Sequence, residues 1–291
     1  MKADLRPLAI SLLATVFASV AWAQEFGRVH FQTSCTPEAQ QKFERGLAMV
    51  HSFVYPDSVA AFSEAAAADP DGLGFEIMAS YTGLAAVPAR FALERQAWKE
   101  AAVLEPRGTQ FPQAEAITYF ARVMGSARGG DLAGADHGFE KLKNIRASLE
   151  GANQSYWAEQ VEIQTLAAAG WIAQAKGQKG MALKFMRAAA ELEDGSAKHI
   201  AMENRLYPMR ELLADLLLEQ EQSSAALSEY ETSLESTPNR LRGLYGAAKA
   251  ALASGQRQKA TMYFRKLLEL TKDADTERVE IQEAKAFLTP R

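Results

Sequence analysis

The side chains with the widest chemical repertoire are few and scattered. The chain holds four histidines, His30, His51, His137 and His199, and one cysteine, Cys35. None stands in an H-E-x-x-H, C-x-x-C or His-Cys arrangement, the spacings that bring ligands to one side of a metal. The best metal-like pair is His199 and Glu203, one turn apart if that stretch is helical, and two ligands do not make a site. No G-x-S-x-G offers a nucleophile elbow, and Cys35 has no evident base beside it. The glycine runs at Gly72 and Gly129 lack the G-x-x-x-x-G-K pattern that cradles phosphates. Acidic pairs such as Glu191 and Glu193 are common on helical surfaces and imply no acid-base work. No cofactor, no metal and no catalytic residue is expected.

Contact chemistry is better represented. Spacing of i, i+3, i+7 and i+10 puts Gln164, Ala167, Trp171 and Gln174 on one helix face. Pro208, Glu211, Asp215 and Leu218 share a second face, and Arg242, Tyr245, Lys249 and Leu252 a third. Trp171 and Tyr245 are candidate anchors, because rigid aromatics give large contact area at modest entropy cost. Arg242 and Lys249 would favour an acidic stretch of ligand, and Glu211 and Asp215 a basic one. A second reading stands beside this one: Trp171 and Tyr245 pack into neighbouring elements. His51 carries the same pair of readings, ligand contact or hydrogen-bonded packing.

These residues need helices to position them, and the composition favours helix. Alanine is frequent and β-branched residues are sparse. A pattern repeats along the chain: small residue, three spacers, aromatic, two spacers, small or apolar residue, four spacers, proline. Ser58, Phe62, Ala65 and Pro70 fit it, as do Ala226, Tyr230, Ser233 and Pro238. Glu94, Trp98, Ala101 and Pro106 fit with a charged first residue, and Ala260, Phe264 and Leu267 without the proline. Weaker copies are Ala135, Phe139, Leu142 and Ala182, Met186, Ala189. Sixteen residues before each ring or its replacement sits Gly46, Thr82, Val123, Gly170, Ala214 or Ala248. Gly130, Gly177 and Gly255 fall where a first helix would end and the chain reverse. A small residue lets two antiparallel helices approach, the aromatic fills the seam, and proline marks the break. Phe62, Trp98, Phe139, Tyr230 and Phe264 are therefore expected to be largely buried. Met186 reads as core by the same register.

This spacing and its 34-residue period resemble the tetratricopeptide repeat (TPR). The resemblance implies an all-α fold, a TPR-like α-solenoid of antiparallel helical hairpins stacked in a right-handed superhelix. It also implies that the first helix of each pair lines a concave face where ligands bind. The predicted organisation is a signal peptide over 1–23, a lead segment over 24–38, about six hairpins over 39–274 with degenerate middle copies, and a capping helix and tail over 275–291. Residues 194–206 read as an insertion. Four stretches, Phe31-Gln-Thr-Ser-Cys35, His51-Ser-Phe53, Tyr207-Pro-Met-Arg-Glu-Leu-Leu213 and Pro238-Asn-Arg-Leu-Arg-Gly-Leu-Tyr-Gly246, resemble a family of exported bacterial TPR proteins of poorly defined function. That family resemblance implies a second cysteine soon after the Asp-Pro of the first repeat. Here Asp69-Pro70 is followed by Gly72, with no cysteine.

Export is also read from the N-terminus. Lys2 and Arg6 precede an apolar run from Leu8 to Val20, and Ala21-Trp22-Ala23 gives the small-x-small pattern of signal peptidase, with a mature start at Gln24. The expected place is the periplasm or the exterior, with no membrane span after cleavage. Net charge is −4 and no segment is strongly basic, so a nucleic-acid role lacks its electrostatic footprint. The expected function is a non-enzymatic scaffold holding a protein or extended peptide of the cell envelope. The alternatives are an enzyme or accessory subunit completed by a partner, or small-solute binding in the superhelix cavity.

Overall fold

The computed structural model describes residues 36–51, 55–69, 78–196, 206–274, 276 and 278–289. Among them are thirteen helices and no strand. They are α1 (Pro37–His51), α2 (Tyr55–Ala68), α3 (Met78–Glu94), α4 (Trp98–Ala102), α5 (Pro112–Gly129), α6 (Leu132–Gly151), α7 (Ser155–Ala175), α8 (Lys179–Gly195), α9 (Met209–Glu219), α10 (Ser223–Ser236), α11 (Leu241–Ala253), α12 (Arg257–Leu270) and α13 (Val279–Leu288). Consecutive helices pack as hairpins, α1 with α2, α5 with α6, α7 with α8, α9 with α10 and α11 with α12. Each hairpin also packs on a neighbour, and α13 covers α12.

One local device closes every well-formed turn. Gly130, Gly177 and Gly255 take left-handed conformations, with φ of 83°, 74° and 76°. The residue after each donates its N–H back to the helix, Asp131 to Ser126, Gln178 to Ala173 and Gln256 to Ala251. Orphan carbonyls at the helix end are thereby satisfied. Gln96 and Glu221 do the same work at φ of 52° and 63° without glycine's freedom, at a cost of about 1–2 kcal/mol each. Five residues past each of these five turns comes an alanine with no exposure: Ala101, Ala135, Ala182, Ala226 and Ala260. With only a methyl group there, the two helix backbones can close up.

That regularity corrects the second repeat. The turn lies at Gln96, so the small buried residue of its second helix is Ala101, and the Glu94-Trp98-Ala101 alignment is displaced by seven residues. The position due for an aromatic is then Glu105, and Pro106 follows it. With no ring to bury and a proline ahead, α4 stops after Ala102. Gly125 of α5 fills in, because a Cβ there would lie 2.4 Å from Ala102 N and 2.5 Å from Trp98 O.

The seam aromatics divide. Tyr230 and Phe264 are each 1% exposed, as the repeat pattern requires. Phe62, Trp98 and Phe139 are only half-buried, against the expectation. Trp98 heads a short helix, and Phe139 stands next to Gly138, which itself makes the close approach to Val123. Phe62 packs on Gly46 and on Phe43, 5.4 Å between ring centres. Met186 is buried, whereas Met181 is 46% exposed. In the cap, Ile281 and Ala284 are buried and Leu288 half-buried. Residues 1–23, expected to be a signal peptide, and Cys35, His30, His199 and Glu203 lie outside the described residues.

Two close approaches make a clear contrast. An added Cβ at Gly246 would sit 2.3 Å from the Tyr230 ring, whose hydroxyl is tied to Asp215. At Gly170 the nearest atom, at 2.7 Å, is Cγ of flexible Met186. Gly246→Ala should therefore cost about 1–3 kcal/mol of overpacking, and Gly170→Ala clearly less. Urea denaturation of the two variants checks the order.

Candidate functional site

The largest concentration of chemistry lies where the α3–α4 corner meets α9, α11 and the approach to α13. Arg240 is the N-cap residue of α11. Its Nε and Nη2 donate to Glu211 Oε2 and Oε1 at 2.9 and 3.1 Å, and Nη2 also donates to Glu94 Oε1 at 2.6 Å. Arg278 Nη2 donates to the Glu94 backbone carbonyl at 2.8 Å and to Glu280 Oε1 at 2.7 Å. The Gln96 amide is assigned with its carbonyl toward Arg242, where it accepts from Nη2 at 2.5 Å. Arg242 Nε donates to Tyr207 Oη at 3.3 Å, and its guanidinium reaches Asp215 at 3.5 Å and Glu280 at 3.8 Å. Asp215 accepts from the hydroxyls of Tyr207 at 3.1 Å and Tyr230 at 2.5 Å. Three arginines thus face four carboxylates, with two tyrosines and a glutamine completing the bonds.

Burial sets the electrostatics. Glu211 is 1% exposed, and desolvation raises its carboxyl above the ordinary value against the pull of Arg240. Burial likewise lifts the Tyr207 and Tyr230 phenols well above 10, so both stay neutral donors. Every carboxylate of the cluster accepts from or pairs with a neighbouring donor. The cluster's physical work is to join elements far apart in sequence.

A second cluster lies on α4, α5, α7 and α9. The Arg128 guanidinium sits between two rings, 4.8 Å from Trp98 and 4.2 Å from Trp171, and pairs with Glu219 at 2.5 Å. Burial raises the Glu219 carboxyl while Arg128 opposes it. A third lies under the cap. Tyr245 Oη and Lys249 Nζ both donate to Glu283 Oε2, at 2.8 and 2.9 Å.

The sequence-derived candidates fall into these clusters. Trp171 is 1% exposed and packs under Arg128, and Glu211 and Arg242 are buried in ion pairs, so these three are packing and pairing residues as they stand. Asp215 is spent on two tyrosines. Gln174 is half-exposed and accepts from Gln220 Nε2 at 2.9 Å. Tyr245 and Lys249 are half-exposed and bridge to the cap. His51 ends α1, and its side chain lies outside the described residues. The spacing argument missed Glu94, Gln96, Arg240, Arg278 and Glu280. Arg240 and Glu94 stand 146 residues apart, a separation that no local pattern encodes. Among the described residues no group of three or more metal-ligating side chains converges, and no helix is long and apolar enough to cross a membrane.

No family model matches the sequence, and no curated protein does. Among solved structures, a tetratricopeptide repeat protein from Parabacteroides merdae aligns with 87% of this chain and 100% of its own. The two are 12% identical, with a TM-score of 0.34.

Arg240→Ala should strand buried Glu211 without its partner and cost about 3–5 kcal/mol. Arg240→Leu combined with Glu211→Leu should cost much less, and a double-mutant cycle by denaturation measures the difference. Acid should act first on the cap. Lys249, hydrogen-bonded to Glu283, holds that carboxyl below the usual value; burial would raise Glu280, and Arg278 more than offsets it. Both carboxyls are depressed in the fold, so their contribution is full above the unfolded pKa of about 4.3 and is lost as pH falls through the folded values. Amide exchange in α13 should accelerate below about pH 4 while that of α7 stays slow.

Proposed function

We propose that the chain is a non-enzymatic scaffold of the bacterial cell envelope that holds a protein or an extended peptide. The reading rests on one observation above all: the hairpins stack, and the charged side chains of the three clusters are paired with one another rather than aimed at a reaction chamber. What such a body offers a ligand is surface. An open groove of about 690 Å3 runs between α10 and α12, with Leu234, Leu244, Tyr263 and Leu270 along it. On the row assigned to the concave face, Gln174, Tyr245 and Lys249 keep part of their surface. The TPR-like spacing supports binding by stacked hairpins, and the N-terminal leader pattern supports export.

Affinity capture from the native envelope, made with the leader intact, tests the function and the compartment together. The captured chain should begin at Gln24. Lys249→Ala should weaken capture by about tenfold, or about 1.4 kcal/mol, with only a small change in melting temperature. Tyr245→Ala should lower both, since it also removes a half-buried ring packed 6.4 Å from that of Phe264. Full capture by a folded Lys249→Ala variant would place the partner on another face, and a chain that retains Leu8 to Val20 would end the export reading.

A further inference from the structure

The last hairpin and its covering helix leave a groove that the first-helix row does not include. It measures about 580 Å3 and lies between α12 and α13. Arg257, Thr261 and Arg265 form one wall, a row on α12 with one turn between successive members. Ala286, Phe287, Leu288 and Thr289 form the other. No carboxylate lines it, and neither arginine has a carboxylate partner among the described residues. Both arginines are exposed, in a chain whose net charge is −4. The two threonine hydroxyls donate to their own helices, Thr261 to Arg257 O at 2.9 Å and Thr289 to Lys285 O at 2.8 Å. Charged donors into the groove therefore come from the arginines.

The arginines are presented for recognition. The Arg257 guanidinium lies 4.7 Å over the Phe287 ring. Contact with the ring restrains the side chain, and a guanidinium carries the paired N–H donors that match a carboxylate. Phe287 and Leu288 are half-buried, so apolar surface adjoins positive charge.

We propose that this groove docks an acidic, partly apolar segment of a partner protein. Carboxylates pair with Arg257 and Arg265, and an apolar side chain lies on Phe287 and Leu288. Eight residues of helix separate the arginines by about 12 Å, which an extended segment spans in about four residues. The proposal rests on the scaffold reading and adds the partner's charge and the place of contact.

The test is fluorescence anisotropy on the full chain. A fluorescein-labelled peptide in which glutamates bracket leucine and phenylalanine is compared with the same peptide carrying lysine for glutamate. The glutamate peptide alone should bind saturably, and added salt should weaken it. Arg257→Glu with Arg265→Glu should reduce its affinity by about tenfold or more at an unchanged melting temperature, and lysine at both positions should keep part of it. Should the double variant melt early, Arg265→Glu carries the test by itself. Equal affinity for the two peptides, no saturable binding, or full binding by the folded glutamate variant overturns the proposal. So does tighter association with phosphatidylglycerol vesicles than with the peptide, which assigns the groove to a membrane. A dimer that the double variant abolishes assigns it to a second copy of the chain. If native capture retrieves the same partner with parent and double variant, the scaffold reading stands and this one falls.

Discussion

Arg240 carries one positive charge and holds two carboxylates 117 residues apart in the sequence. Glu211 comes from α9 and Glu94 from the end of α3. Only a guanidinium, with several N–H donors in one plane, serves both at once. Glu94 in turn presents its backbone carbonyl to Arg278, which leads into the cap. Buried ion pairs of this kind add little net stability over apolar packing, but a missing partner is expensive. Their effect is therefore selective. The α3–α4 corner has few places to rest where Glu94, Gln96 and the three arginines are all satisfied. That selectivity is what ties the second repeat to the last hairpin and to α13.

The rest of the architecture follows from close approach between backbones. Alanines without exposure follow five of the left-handed turns, and Gly125 and Gly170 come close to the helix backbones at Ala101 and Ala182. With Tyr230 and Phe264, the second helix runs its full length and buries the ring. Where the ring is replaced by Glu105, the second helix ends at Ala102 and leaves Trp98 half-buried. Trp98 then serves differently, as one face of the slot that holds Arg128 against Trp171. The degenerate repeat is thus also the one whose corner supplies Glu94 and Gln96 to the polar cluster.

This division bears on function. Aromatic and charged residues on the first helices have the types expected of a ligand-binding row, and much of that row is turned to holding the solenoid together. Surface left for a partner lies at the exposed parts of α7 and α11 and in the grooves beside α12. The charge character differs between these surfaces. The groove between α12 and α13 is lined by arginines, whereas Glu231, Glu235 and Glu269 lie along the one between α10 and α12.

The sequence by itself determined the helical class, the hairpin period, the turns at Gly130, Gly177 and Gly255, and the burial of Tyr230 and Phe264. Each of these depends on residues within one period, where helix propensity, a left-handed glycine and a small-aromatic pair act over a few turns. It also assigned Trp171, Glu211, Asp215, Arg242 and Tyr245 to first-helix faces expected to form one row. What the row faces was decided by the tertiary structure alone. Trp171 could have met a ligand or a neighbour with the same spacing, and Arg128, 43 residues earlier, is what covers it. The turn of the second repeat was misplaced because Gln96 adopts a positive φ without the glycine that announces one. Glu94, Arg240 and Arg278 were out of reach for a plainer reason: a charge pattern in sequence says which residues want partners, and only the path of the chain through space says which partners they obtain.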